Sequence, residues 1–323
     1  MRSIRLSFLS IVSSAFALGA TLAPAQALDK VHVGNPSDIA WAFVVPYVGI
    51  EAGIFKKYDL EVDVASFGGD QKMQQALNAG SIDIGLGGGP AMAFVVKGAP
   101  VMAVAALFGP PKNISIVIPY DSPIKSTAEL KGKLVSASQV GSLTGWLVQR
   151  ISLHEGWGVD GIKIAALGGF EPGVAALRTK QIDAMMSSVE GGLTLEEKKI
   201  GRNLTSMEKF APKFVTHVVF ARRDLVASNP KLVDRFLKGL FATIAYMRTH
   251  KPETVKVSVE QMHESKVVAE KTYDDEIDAF TTDGTFDPEG VAVIKQSFLD
   301  MGMLKEKPAD NQMYTTQFLP VKP

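Results

Sequence analysis

The segment ALNAGSIDI at residues 76–84 returns in outline one hundred residues later, as ALRTKQIDA at residues 176–184. In each copy the residue order predicts the end of a helix followed by a buried strand. Repeats of a solenoid recur every ~20–50 residues, so this spacing is too long for one. The pair therefore predicts two similar α/β lobes, with a chance match of four identical residues as the alternative.

Short β-rich runs recur along the chain and are separated by segments of helical composition. They fall at residues 31–33, 60–65, 101–107, 134–137 and 162–167. This alternation is typical of α/β folds with parallel strands. Because no Pro/Gly/Ser-rich linker separates the copies, we expect ordered strands to connect the lobes.

The apolar segments 113–119 and 216–222 are placed to make two such crossings. They divide the mature chain into a first part of lobe 1 at residues 28–117, lobe 2 at 118–221, and a second part of lobe 1 at 222–323.

The first 27 residues have the pattern of a secretory signal peptide. Arg2 and Arg5 precede an apolar run at residues 6–23, and Ala25-Gln26-Ala27 supplies the small residues of a cleavage site. We therefore expect cleavage after Ala27 and export of the mature chain. A retained membrane anchor is the alternative, but no later segment contains the ~20 uninterrupted apolar residues of a spanning helix.

The composition excludes several functional classes. Lys and Arg number 34 and Asp and Glu also number 34, so no basic surface for nucleic acid is indicated. The sequence has no cysteine, which removes disulfides, thiolate nucleophiles and Cys-ligated metals. Its five histidines have no metal-ligand spacing, and no Gly-x-Ser-x-Gly motif is present. A small ligand, without cofactor or metal, fits these limits best.

Two strand-to-helix turns are candidate ligand sites. The turn GLGGGP at residues 85–90 lacks both the dinucleotide fingerprint and the phosphate-loop lysine, but Gly88 and Gly89 would let backbone approach a ligand. Ser138, Ser142 and Thr144 follow a strand in the second half, where hydroxyls at a helix start can hold a carboxylate, sulfonate or phosphate. A plain tight turn and simple N-capping are the respective alternatives.

Three further side chains are weighed as ligand contacts. Trp41, just beyond the first strand, and Phe170 could each cover an aromatic ligand face, although large aromatics are more often core residues. Glu190 follows an apolar run and could meet a ligand cation or donor, with a surface position as the alternative. Hydroxyls and aromatics together indicate a sulfonate, a carboxylate or a heteroaromatic acid.

Four stretches resemble the periplasmic solute-binding proteins of ABC transporters in the nitrate/sulfonate/taurine family, which includes binders of thiamine-pyrimidine precursors. They are VGIEAGIFKKYDLEV at residues 48–62, the ALNAGSIDIG block from residue 76, GAPV at 98–101 and DGTFDPEG at 283–290. The resemblance implies two α/β lobes with two crossovers, a ligand held in the cleft, and closure that presents both lobes to an inner-membrane permease.

The resemblance also implies the ligand-contacting positions, a periplasmic location and a monomer that is not an enzyme. Carried over residue by residue, the contacts are Ser37, Trp41, Gly88, Gly89, Ser138, Ser142 and Thr144, with Phe170 and Glu190 added. Two alternatives stay open. A pyrimidine-synthesising enzyme exists on a related scaffold, but it needs a Cys-rich segment that this sequence lacks, and a sensor subunit would deliver the closed form to a receptor.

Overall fold

A computed structural model describes residues 27–323. The predicted signal peptide, residues 1–27, lies outside the described residues apart from Ala27. Within residues 27–323, every helix is too short or too polar to cross a bilayer.

The described residues form ten strands and eleven α-helices. The strands are β1 (Asp29–Asn35), β2 (Leu60–Ser66), β3 (Ile84–Gly88), β4 (Val101–Phe108), β5 (Ile114–Pro119), β6 (Leu134–Ala137), β7 (Lys163–Ala166), β8 (Ala184–Ser188), β9 (Gly201–Ser206) and β10 (His217–Arg222). The helices are α1 (Val45–Glu51), α2 (Asp70–Asn78), α3 (Met92–Val96), α4 (Leu143–His154), α5 (Phe170–Arg178), α6 (Val189–Glu197), α7 (Arg223–Ser228), α8 (Pro230–Met247), α9 (Lys251–Met262), α10 (Lys266–Glu276) and α11 (Pro288–Asp300).

The strands make two five-stranded sheets of the same design. The first has the order β2-β1-β3-β10-β4, and the second has the order β7-β6-β8-β5-β9. In each sheet four strands run in the same direction, and the fourth strand in the order, β10 or β5, runs antiparallel to them. The predicted α/β architecture with two lobes is confirmed, because each sheet is the centre of one lobe.

The chain crosses between the lobes slightly earlier than predicted. The expected crossing segments, 113–119 and 216–222, are strands β5 and β10, and each lies wholly in one sheet. The crossings are therefore residues 109–113 and 207–216. As a result β5 belongs to lobe 2 and β10 to lobe 1, which shifts the predicted boundaries at 117/118 and 221/222. The sequence signal was misleading because a central strand and a crossing strand are equally apolar.

The repeated segment occupies the same place in both lobes. In lobe 1 it contains the end of α2 and the start of β3, and in lobe 2 the end of α5 and the start of β8. The Asp83 side chain accepts the His32 N–H at 3.0 Å, and Asp183 accepts the Leu134 N–H at 2.9 Å. Each aspartate thus ties the connection before one strand to the neighbouring parallel strand, so the repeat marks one structural unit used twice.

The C-terminal third covers lobe 1 and reaches lobe 2. Helices α8 and α9 pack against α1, which contacts β2 of the first sheet, and α10 packs against α9. Apolar residues recur along the buried face of α8. Helix α10 also contacts α6 of lobe 2, and Trp146 of α4 donates its indole N–H to Asp300 of α11 at 3.1 Å. The lobes are therefore in contact in this structure.

Candidate functional site

A cavity of about 350 Å³ lies between the lobes and is called the central cavity below. Its walls come from residues 36–40 after β1, 66–70 at the end of β2, 136–138 at the end of β6, 168–172 after β7 and 185–188 in β8. These are the carboxyl ends of the parallel strands of both sheets, where open α/β sheets bind their ligands. Both lobes must be in place for the cavity to exist.

Four of the predicted contact residues line the central cavity: Ser37, Ser138, Thr144 and Phe170. Five others do not: Trp41, Gly88, Gly89, Ser142 and Glu190.

Trp41 is a core residue in this structure. Its side chain is fully buried. The indole packs edge-on against the Tyr273 ring, with 6.0 Å between ring centroids, and lies tilted against the Phe280 ring, with 5.6 Å between centroids. Both partners come from the C-terminal third of the chain. The expected contact between the indole and a ligand is therefore not what the structure shows.

Gly88 and Gly89 serve close packing between chain segments. The Gly88 N–H donates to Asp70 Oδ1 at 2.8 Å, and the Gly89 N–H donates to the Thr216 carbonyl at 2.9 Å. A Cβ on Gly89 would lie 2.5 Å from the Val215 carbonyl oxygen. Both N–H groups are thus used within the chain, and the tight-turn alternative describes these glycines.

Ser138, Ser142 and Thr144 form one hydroxyl cluster at the start of α4. Ser142 Oγ donates to the Gln139 carbonyl at 2.7 Å, and Ser138 Oγ donates to Ser142 Oγ at 2.8 Å. Thr144 Oγ1 lies 2.9 Å from Ser138 Oγ and can donate to it. Ser142 also caps α4 by accepting the Gly145 N–H at 3.3 Å. Each of the three hydroxyl hydrogens therefore has an acceptor inside the chain.

Glu190 contacts the opposite lobe instead of the cavity. Its Oε1 accepts the Trp41 N–H at 2.5 Å, and its Oε2 has no partner among the described residues. Burial raises the pKa of Glu190 to about 8, against the opposing effect of backbone N–H groups. The carboxyl of Glu264 raises it further, and Glu190 in turn raises the pKa of the buried Glu276. Glu190, Glu264 and Glu276 are called the acid cluster below.

Sequence reasoning missed the polar floor of the cavity. Asn113 Nδ2 and His217 Nε2 are 3.1 Å apart, and both residues are buried and line the cavity. Burial lowers the pKa of His217 to about 3, so its imidazole is neutral at physiological pH. Asn113 ends the first crossing and His217 begins β10 directly after the second, so the two residues are far apart in the sequence and no local motif connects them.

The rest of the lining is aromatic and acidic. Phe43, Phe67 and Phe170 supply ring surface, while Asp38, Asp70 and Glu171 supply carboxyl groups; this lining includes no lysine or arginine. Among residues 27–323, no group of three His, Asp or Glu side chains is arranged to hold a metal ion. The arrangement can hold an organic solute by contact and hydrogen bonding.

The family model described as NMT1/THI5 like matches residues 42–254. The chain belongs to the NMT1/THI5-like family. A Brucella abortus protein, provisionally named a binding protein, is 28% identical over 248 residues, which cover 74% of this chain and 74% of that protein.

Solved structures share the fold of this NMT1/THI5-like chain at low sequence identity. The alkanesulfonate-binding protein SsuA from Xanthomonas axonopodis pv. citri, bound to MOPS, has a TM-score of 0.77 and 17% identity, covering 88% of this chain and 98% of that one. The desulfurization enzyme DszB has a TM-score of 0.62 and 16% identity, covering 90% and 97%. The periplasmic binding protein fold predicted from the sequence is confirmed, and both a binding protein and an enzyme use it.

Proposed function

We propose that this NMT1/THI5-like chain is the solute-binding component of an ABC importer, working in the periplasm and delivering a small organic solute to a membrane permease. The observation that carries the proposal is the central cavity, which both lobes wall off at the carboxyl ends of their parallel strands. A volume of about 350 Å³ suits a small organic molecule.

Capture would work by closure of the lobes. Solute contacts are divided between the lobes, with Ser37 and Phe43 on one side and Ser138 and Phe170 on the other. A solute therefore gains its full contacts only in the closed form and shifts the population towards it. The crossings at 109–113 and 207–216 would take up the rotation while each sheet moves as a rigid body.

The sequence indicates a sulfonate, a carboxylate or a heteroaromatic acid, and this stays a prediction. Phe43, Phe67 and Phe170 support the aromatic part of it because rings can stack there. The acidic part has less support, because each hydrogen of the hydroxyl cluster has an acceptor within the chain and the lining contains no cationic side chain.

We infer binding without catalysis, although the fold alone does not separate the two activities. The sequence contains no cysteine that could act as a nucleophile. The buried imidazole of His217 is hydrogen-bonded to the Asn113 amide and does not activate a nucleophile. Prolonged incubation of the pure protein with a bound solute should return that solute unchanged, as judged by mass spectrometry. A product would support the enzyme alternative.

Small-angle scattering tests the closure mechanism. The radius of gyration should fall when a bound solute is added to protein that was unfolded and refolded to remove any carried-over ligand. An unchanged radius at saturation, with the free form shown to be open, would leave only a static pocket. Deletion of the encoding gene should abolish uptake of the same solute, and normal uptake would contradict the importer role.

A further inference from the structure

The carboxyl group of Asp70 lies at the start of α4, where Ser138, Ser142 and Thr144 were expected to hold a solute anion. Asp70 is the first residue of α2 in lobe 1, is 6% exposed and lines the central cavity. Its Oδ1 accepts the Gly88 N–H, and the Leu143 N–H at the start of α4 in lobe 2 lies near the carboxyl. Burial raises the pKa of Asp70, whereas these two N–H groups lower it by favouring the carboxylate. The chain itself thus places a carboxyl group against the positive end of the α4 dipole.

Gly88 shows how closely the three segments meet. A Cβ on Gly88 would lie 2.9 Å from Asp70 Oδ2 and 3.0 Å from Leu143 Cβ. Any larger residue at position 88 would therefore push the carboxyl away from α4. The glycine in this turn is what allows Asp70 to bridge the lobes.

The other groups around this carboxyl offer little to an anion. Each of the three hydrogens of the hydroxyl cluster has an acceptor within the chain. The remaining charged side chains of the lining are the exposed carboxylates Asp38 and Glu171, and no lysine or arginine accompanies them there. The N–H groups of Gly88 and Leu143 favour the carboxylate form of Asp70 against the effect of burial. In that form, a solute carboxylate or sulfonate next to Asp70 would meet a like charge without a compensating cation.

Two buried polar atoms of the cavity wall have no hydrogen-bond partner within the described residues. Asn113 Oδ1 and Ser187 Oγ are buried and make no hydrogen bond within the described part of the chain. In the arrangement where Asn113 Nδ2 donates to the neutral His217 ring, the amide oxygen is left as a free acceptor. A buried acceptor without a partner is costly, so a solute N–H or O–H group would satisfy Asn113 Oδ1. The Ser187 hydroxyl can accept from such a group or donate to the solute.

We propose that Asp70 takes the anion position at the start of α4 and thereby makes the cavity select solutes without a negative charge, either uncharged or cationic, that carry hydrogen-bond donors. This rests on the proposed solute-binding function and narrows it. Asp70 is then a specificity-determining residue. The preference is opposite to that named for the alkanesulfonate-binding protein of the same fold.

The test uses the full mature chain, refolded to remove carried-over ligand. It is equilibrated at pH 7.5 with an equimolar mixture of alkanesulfonates, carboxylates, nucleobases, nicotinamide, sugars and amines, then separated by gel filtration, and the retained compounds are identified by mass spectrometry. Wild type should retain uncharged or cationic compounds. Retention of a sulfonate or carboxylate would overturn the inference while leaving the solute-binding function intact, and retention of nothing would contradict both.

Asp70→Asn sharpens the result, because asparagine keeps an oxygen for the Gly88 N–H but removes the charge. Calorimetry compares a retained compound with its carboxylate-bearing analogue. Wild type should bind the analogue at least about 10-fold more weakly, and this affinity gap between the two compounds should be much smaller in Asp70→Asn. Glu61→Gln removes one charge from the exposed side of β2 and should keep the wild-type gap. Equal gaps in all three proteins would overturn the role of Asp70. The wild-type selection remains decisive if Asp70→Asn fails to fold.

Discussion

Asp70 and Glu190 are two buried acids that do the same local job in different surroundings. Each lies in the first turn of a helix, and each meets a backbone N–H of the opposite lobe, Leu143 for Asp70 and Trp41 for Glu190. Asp70 lines the central cavity, whereas Glu190 lies behind it beside Glu276. The difference shows that contact between the lobes can be made next to the solute or away from it, so the two acids can be tested separately.

The largest effect is expected from the acid cluster as a function of pH. Burial raises the pKa of Glu190 to about 8 and that of Glu276 well above its usual range. The folded state therefore binds protons that the unfolded chain has released above its ordinary carboxyl pKa. Stability contributed by the cluster is full below that ordinary pKa and is lost as pH rises through about 8, by on the order of a few kcal/mol.

Glu190→Gln should remove much of this loss of stability at high pH, because the glutamine side chain stays neutral at every pH. Denaturant unfolding at about pH 5 and pH 9 should give a smaller difference in the free energy of unfolding for Glu190→Gln than for wild type. Glu253→Gln, in the first turn of α9 and exposed, is the control and should match wild type. The same pH slope in all three proteins would show that Glu190 is not buried as described.

A medium effect is expected at Asp70. Asp70→Ala leaves the buried Gly88 N–H without its acceptor, which should lower the free energy of unfolding by about 1–3 kcal/mol. Asp70→Asn should lose less because its oxygen can still accept. Denaturant unfolding near pH 7 measures both, and equal losses would mean that the hydrogen bond to Gly88 contributes nothing.

The smallest effect is expected at the start of α4, which Asp70 faces. Ser142→Ala removes the N-cap and should cost about 1 kcal/mol of stability, whereas solute affinity should stay unchanged because Ser142 does not line the cavity. Ser138 and Thr144 do line it, so Ser138→Ala should change affinity more than stability. Thermal unfolding and calorimetry on both variants separate these outcomes, and a loss of affinity in Ser142→Ala would restore it as a contact residue.

The sequence predicted the lobes better than it predicted the wall of the cavity. Segments 76–84 and 176–184 carry local information, because the helix end, the turn and the buried strand all lie within nine residues. Ser138 and Thr144 could be placed at the cavity for the same reason, since they directly follow a strand.

The other positions depend on residues far away in the chain. Trp41 is a core residue because Tyr273 and Phe280 pack on it. The sequence around position 41 does not predict these two contacts. Asn113 and His217 meet because the two crossings between the lobes lie side by side. Patterns of one segment cannot show which side chain a distant helix will cover, so such contacts stay beyond local reasoning.

The late position of the antiparallel strand β10 in the sequence also sets an order of assembly. All strands of the second sheet lie within residues 114–206, so that sheet can form from one continuous stretch of chain. In the first sheet β4 is an edge strand whose neighbour is β10, more than one hundred residues later. A chain that emerges from its amino end would therefore complete lobe 2 while β4 still exposes an unpaired apolar edge, a template for aggregation until β10 arrives.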